Sequence, residues 1–393
     1  MSRTVVVLPG DGIGRVVIPE ALRVLTAAGF EANLVDAEIG WSCWRRDGDP
    51  LPGRTIALLE QHRWALLGAI TSKSRADAEA DLPDNLRGTG HPYRSPILAL
   101  RQRFGLDVCL RPCASFPGNP VNFVRRHASG RVEEPALDLT VFRQNTEDVY
   151  AGVEWLDPPP GVRAALATHP RFAPFLGTPG SDLAVAARIV TRDASRRIVD
   201  AAFRYAAGRG KDAVVLAEKP NVLRETSGLV EEAAREVAAR YPGITLRSMN
   251  VDAVVLELVR RPESLGVIVA TNLFGDILSD AVAGLTGGLG FAASANLGPT
   301  VAIFEPTHGS VPGHDGIEPP IANPIAAILA GALLAEHAGD PGAAARIRAA
   351  IAAVVAEGRV RTYDMLRLHA GPDVVAKGAA STRDMTGAIL ARL

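Results

Sequence analysis

The sequence predicts an α/β protein, built as one large domain or two of medium size. Three observations predict it. The chain opens on an apolar run, Thr4–Leu8, then PGDGIG, then a segment of helical periodicity, Val16–Ala28: the strand, turn and helix of an α/β unit. Short β-rich runs alternate with helical segments from there onward. At 393 residues the chain is too long for one small core.

Composition narrows the function classes. A net charge of −1 argues against a nucleic-acid surface. Cys43, Cys109 and Cys113 have neither zinc-like spacing nor a disulfide framework, which suits a reducing compartment. The apolar run within residues 1–9 is too short for a signal segment or a membrane span, so a cytoplasmic protein without a membrane partner is expected.

Ala32–Asp36 and Ala65–Thr71 read as further strands, with Pro52–His62 a helix. Between them a loop carries Trp41 and Trp44, whose rings are expected to pack rather than form a site. Gly10, Gly12 and Gly14 miss the G-x-G-x-x-G dinucleotide fingerprint, and a tight turn accounts for them. Leu82–Ser95 is a polar loop, and Pro96–Phe104 a short helix bearing Arg101 and Arg103. Arg111 is expected at a strand end, and Arg143 stands in LTVFRQNTEDVYAGVEW. Together such arginines would form a fork for several carboxylates; singly, each reads as a surface charge. Tyr150 is either a proton donor or a core tyrosine. Leu156–Asp182 is Pro-rich and irregular, an insertion suited to an arm or subunit contact. Arg192–Arg209 is a helix and Ala213–Leu216 a strand, with Lys219 of AEKPNV at its carboxyl end, as a proton-transfer group or a solvated lysine. Val230–Arg240 and Leu246–Met249 continue the alternation.

Residues 250–280 organise the rest. An amphipathic segment, Asp252 to Arg261, is stopped by Pro262; Val267–Ala270 is a β run, and NLFGDILSD follows. If Gly275 opens a helix, Asp276 and Asp280 share one face of its first turn. That spacing suits a hard divalent cation, while an acidic helix N-terminus is the plainer account. Further on, AVAGLTGGLGFAASANLG permits close backbone approach. His308, Gly309 and Ser310 stand in a loop able to take the adenosine end of a nucleotide. Asn323–Ala338 and Pro341–Ala356 are Ala-rich helices, the second capped by Asp340, and RTYDMLRL contributes Tyr363 and Arg367.

Taken in order, LPGDGIG, LRQRFGLDVCLRP, FRQNTEDVYAGVEW, EKPNV, NVDA, NLFGDILSD, FEPTHGSVPG and IANP resemble the β-decarboxylating dehydrogenases, the isocitrate, isopropylmalate and homoisocitrate dehydrogenase family, over nearly the whole chain. The resemblance implies a two-domain α/β fold that is not a Rossmann fold. Residues 1–106 and 287–393 would form the large nucleotide-binding domain and 107–286 the small, dimerising one, with an arm at about 148–190. It implies a homodimer with shared active sites. Arg101, Arg111 and Arg143 would hold malate-like carboxylates, Tyr150 and Lys219 would be the acid–base pair, and Asp252, Asp276 and Asp280 would bind Mg²⁺ or Mn²⁺. Lys219 and Asp252 would reach into the other subunit's site. The reaction implied is oxidative decarboxylation of a 3-substituted malate, a (2R,3S)-type 2-hydroxy acid, to a 2-oxo acid and CO2 with reduction of NAD or NADP.

Substrate and cofactor are read from two loops. In YRSPILALR, Arg94 and Ser95 favour an acidic distal group, as in isocitrate, whereas Ile97 and Leu98 are similar to the apolar pocket of isopropylmalate dehydrogenases. Isocitrate or a close analogue is favoured; isopropylmalate, homoisocitrate and a phosphono-substituted malate are the alternatives, and a non-catalytic regulatory subunit is a more distant one. The nucleotide set implied by the resemblance is Asn221, His308, Gly309, Ser310, His314, Asn323, Tyr363 and Arg367. Gly313 and His314 follow HGSVP, with Asp315 late for an NAD-type aspartate, and Tyr363 with Arg367 tilts the reading toward NADP.

Overall fold

The computed structural model describes residues 3–393; Met1 and Ser2, where the reading of the N-terminal run begins, lie outside the described residues. Ten strands make one mixed sheet. In chain order these are β1 (Thr4–Gly10), β2 (Asn33–Asp36), β3 (Trp64–Ala69), β4 (Val108–Ala114), β5 (Asp138–Gln144), β6 (Ala213–Glu218), β7 (Thr245–Asn250), β8 (Val267–Ala270), β9 (Ala293–Leu297) and β10 (Ala302–Pro306). Across the sheet they run β7-β6-β8-β5-β4-β9-β10-β3-β1-β2. Two parallel wings, β7-β6-β8-β5 and β10-β3-β1-β2, are joined through β4 and β9, which pair antiparallel with each other and with the strands beside them. The inner strands of the wings are apolar because both faces are covered: β8 is wholly buried.

The principal helices are α1 (Gly14–Ala27), α2 (Pro96–Arg103), α3 (Arg192–Gly208), α4 (Arg224–Ala238), α5 (Val251–Arg260), α6 (Asn272–Leu285), α7 (Ile325–His337) and α8 (Pro341–Glu357). Helix α7 is apolar all round, and its buried residues pack with those of α1 and α8 in one core cluster. Helices α3 and α4 bury Ile198, Phe203 and Val230 on one face of the other wing; α5 and α6 bury Val254 and Leu278 in a separate cluster. Asp340 caps α8 through its hydrogen bond from the Ala343 amide, as expected.

Four expectations need correction. Trp41 and Trp44 lie on a short helix, Trp41–Asp47, rather than in a loop, and their rings pack with Tyr93. Arg111 is in the middle of β4, not at its end. The insertion is not irregular: strands Glu154–Leu156 and Ala184–Ala186 pair to frame the helix Pro160–Ala167. Finally, Gly275 does not open α6. The helix begins three residues earlier because its first amides have anionic partners from elsewhere: Thr271 donates to Glu218 at 3.1 Å and Leu273 to Asp148 at 3.0 Å. Arg188 bridges those two buried carboxylates. Asp276 and Asp280 are therefore not the acids of a helix N-terminus.

Candidate active site

Strands β4 and β5 present Arg111 and Arg143 toward α6, where Asp276 receives both. Arg111 Nη1 donates to Ser279 Oγ at 2.6 Å and lies 3.2 Å from Asp280 Oδ1 and 3.6 Å from Asp276 Oδ1. Arg143 Nε donates to Asn272 Oδ1 at 2.8 Å while its Nη1 pairs with Asp276. The other oxygen of Asp276 accepts from Tyr150 Oη at 2.5 Å, and the Arg143 guanidinium lies 4.9 Å from the Tyr150 ring centroid. Gly275 makes this approach possible, since a Cβ there would stand 2.7 Å from Arg143 Cβ. Burial, and then the hydrogen bond to Asp276, push the Tyr150 hydroxyl up from its ordinary value, so it is held as a protonated donor. Burial also raises the Asp280 carboxyl.

Arg101, from α2, is buried and lies 3.7 Å from Glu305. The Nε atoms of Arg101 and Arg111 are buried without a hydrogen-bond partner among the described residues, which marks them as donors waiting for an acceptor. Arg94 is exposed and Ser95 precedes α2, its side chain making no cap bond among the described residues. Ile97 is half-buried against the core that holds Leu67 and Leu100, and Leu98 is half-buried beside it in the chain.

Lys219 and Asp252 sit apart from this cluster. Their side chains pair with each other, and that bond from Lys219 holds the Asp252 carboxyl below the usual range. Among the described residues no three His, Cys, Asp or Glu side chains are gathered as a metal ion would need. One chain thus brings Asp276 and Asp280 together but not Asp252.

A second cavity, of ≈ 450 Å³, is lined by His308, Gly309, His314, Asn323, Tyr363 and Asp364. Burial lowers the His308 pKa, favouring neutral imidazole, and its Nε2 is buried with no partner among the described residues. Asn323 is oriented by donating to Asp364 at 2.9 Å and accepting from the Ile325 amide at 3.0 Å. Ser310 is buried, with its Oγ 2.7 Å from Thr71 Oγ1 and its carbonyl accepting from the Ile13 amide at 2.9 Å. That contact explains Gly12, where a Cβ would lie 2.1 Å from the same carbonyl. Beyond the loop, Thr382 ties down the chain again by donating to the carbonyls of Pro320 and Ala322. Asn221 and Arg367 are exposed and do not line this cavity.

The family described as isocitrate/isopropylmalate dehydrogenase matches residues 4–389. The chain belongs to that family. The isocitrate/homoisocitrate dehydrogenase of Thermus thermophilus is 38% identical over 93% of this chain and 94% of its own length. Protein DlpA of Legionella pneumophila is 37% identical over 98% of this chain, which spans 58% of that longer protein. The crystal structure of isocitrate dehydrogenase from Methylococcus capsulatus superposes with a TM-score of 0.80 at 34% identity, covering 99% of both chains.

Within this dehydrogenase family framework, the residues present fit a dinucleotide and, in part, a metal ion. The orphaned His308 Nε2 and the Asn323–Asp364 pair offer a neutral donor or acceptor and an oriented amide beside a cavity of suitable size. Two oxygen-donor carboxylates four residues apart suit a hard cation, and among the described residues no third His, Cys, Asp or Glu side chain joins them. Several working residues were missed in the sequence. Asp364 follows Tyr363 directly and could have been found from that; Asn272, Glu218, Asp148 and Arg188 had no local signal, because the contacts that gather them around the start of α6 span 30 or more residues.

Proposed function

We propose that the chain catalyses the metal-dependent oxidative decarboxylation of an isocitrate-like 3-substituted malate to a 2-oxo acid and CO2, with reduction of a nicotinamide dinucleotide. The observation that carries this reading is the meeting of Arg111, Arg143 and Tyr150 on Asp276, with buried Arg101 nearby. Three guanidiniums suit a substrate with several carboxylates. Tyr150, held protonated, is placed to return a proton to the carbon that loses CO2. Asp276 and Asp280, with Asp252 of a second copy, would hold Mg²⁺ or Mn²⁺, which supplies Lewis-acid stabilisation of charge on the substrate's 2-oxygen. Lys219 of that copy would take the hydroxyl proton. Assembly into a dimer is supported by exposed apolar side chains on α5 and α6: Leu256, Val259 and Ile277 are 48%, 65% and 57% exposed. In this reading residues 1–106 with 287–393 hold the dinucleotide and 107–286 the second copy.

An acidic distal group is favoured because Ile97 is spent against the core, leaving Arg94 and Ser95 at the mouth of α2. Tyr363 in the cavity wall, with exposed Arg367 four residues on, favours the 2′-phosphorylated cofactor. The test is reduced-nicotinamide absorbance with Mn²⁺, offering isocitrate, homoisocitrate and isopropylmalate each with NAD and NADP. Isocitrate with NADP is the expected best pair; isopropylmalate with NAD as the best pair would overturn both assignments, and no turnover with any pair would overturn the activity.

A further inference from the structure

A third cavity, of ≈ 400 Å³, lies on the opposite face of the sheet from Arg111 and Asp276. Strand alternation makes the two faces one device. Leu110, Pro112 and Ala114 of β4 line this cavity, while Arg111 between them reaches Ser279 and Asp280 on the other face. Strand β9 repeats the arrangement: Ala293, Ala295 and Leu297 line the cavity, while Asn296 hydrogen bonds to Asn145 and to Glu305, the partner of Arg101. The floor is thus made of the two antiparallel strands that join the wings. The walls are α3, through Tyr205, and α7, through Leu329 and Leu333.

The lining is apolar and partly aromatic, but the rim carries an unbalanced charge. Glu336 is shared by two guanidiniums, accepting from Arg209 at 2.5 Å and from Arg348. Asp138, also on the rim, is neutralised by Lys211, and burial lowers the His337 pKa, which favours its neutral form. One positive charge remains at the edge of an apolar chamber of ligand size. We propose that this cavity binds a small amphipathic monoanion, an apolar body bearing a single carboxylate, inserted between α3 and α7 with the carboxylate at Arg209 and Arg348. A ligand there spans both wings from behind, so it is placed to bias their spacing, and with it the front-face arginines, from a site that shares no residue with them.

The test is isothermal titration calorimetry on the full chain with octanoate, with octanol and octylammonium as the same body without a charge and with the opposite one. Octanoate is expected to bind at one site per chain, at least about tenfold more tightly than either control. Leu333→Trp, which fills the chamber, should abolish binding, and Arg348→Gln, at the half-buried rim, should bring octanoate down to octanol; a melting curve on each variant shows that it is folded. The proposal is overturned if octanoate gives no saturable heat, if octanol binds as well, or if folded Leu333→Trp binds octanoate unchanged. Because no turnover is measured, failure here and failure of the proposed activity are read separately.

Discussion

Replacing Gly275 by alanine sets two known effects against each other. A glycine inside a helix is less favourable than alanine by about 1 kcal/mol, so on propensity alone the variant should be more stable. Yet the new Cβ would stand 2.7 Å from Arg143 Cβ, 2.8 Å from Arg143 Cγ and 3.1 Å from Arg143 Cα. Those atoms are the root of a buried side chain and the backbone of a central strand, and they cannot swing aside. Overpacking of that kind costs roughly 1–3 kcal/mol, so the net expectation lies between no change and a loss of about 2 kcal/mol. The larger effect falls on turnover. Arg143 must move with its guanidinium, which holds Asp276 and faces Tyr150, and a displacement approaching 1 Å at a reacting centre can cost about 10²-fold. Gly228 on α4 is the control, because a Cβ there meets nothing within 4 Å among the described residues; Gly228→Ala should gain about 0.5–1 kcal/mol and keep full activity. The assay is a urea melt of both variants beside steady-state turnover. If Gly275→Ala were as stable as Gly228→Ala with full kcat, Gly275 would not be there to admit Arg143.

Other substitutions probe the rest of the machinery. Tyr150→Phe should lower kcat by about 10²–10³-fold, with a urea midpoint close to that of the parent chain. Arg188→Met removes the cation between Asp148 and Glu218, which are 2% and 1% exposed, and should cost about 3–5 kcal/mol in urea unfolding. Burial depresses the pKa of both His308 and His337, so the unfolded chain binds protons first as pH falls through the ordinary histidine value of about 6.5. Stability is therefore full above that value and declines below it, and the double variant His308→Asn, His337→Asn should flatten the decline in urea melts taken between about pH 7.5 and 5.5. If Lys219 acts across a two-fold interface, inactive Lys219→Ala and Tyr150→Phe chains refolded together should recover about a quarter of parental activity, whereas no recovery would place both residues in one subunit's site.

Much of the fold was legible because the strands are apolar runs between helical segments: Val267–Ala270 was located to the residue. Errors came where distant partners decide. Nothing in NLFGDILSD says that Glu218 and Asp148 will cap the helix, so its start was placed at the glycine instead of at Asn272. The Trp41 helix was hidden for a related reason: its first amide is bonded by Asp11, thirty residues earlier. In the site, the arginines, Tyr150 and Asp276 were identified from ordered motifs, and the structure brings Arg111, Arg143, Tyr150 and Asp276 together. Ser310, expected at the nucleotide, is also a latch between two turns, and no local pattern announces that, because a buried serine in a glycine-proline loop looks the same in sequence whether it faces a ligand or a neighbouring turn.

That latch has a consequence for how such a protein can change over generations. Residues 311–320 are slung between two fixed points, Ser310 against the glycine turn and Pro320 with Ala322 against Thr382. Lengthening a loop between anchored ends costs little conformational entropy, and none of the sheet has to shift to absorb it. Insertions and charge swaps in this span are therefore a place where inheritance can experiment cheaply: His314 and its neighbours on the cavity wall can be rewritten while the strands, the arginine cluster and Asp276 continue unaware of the edit.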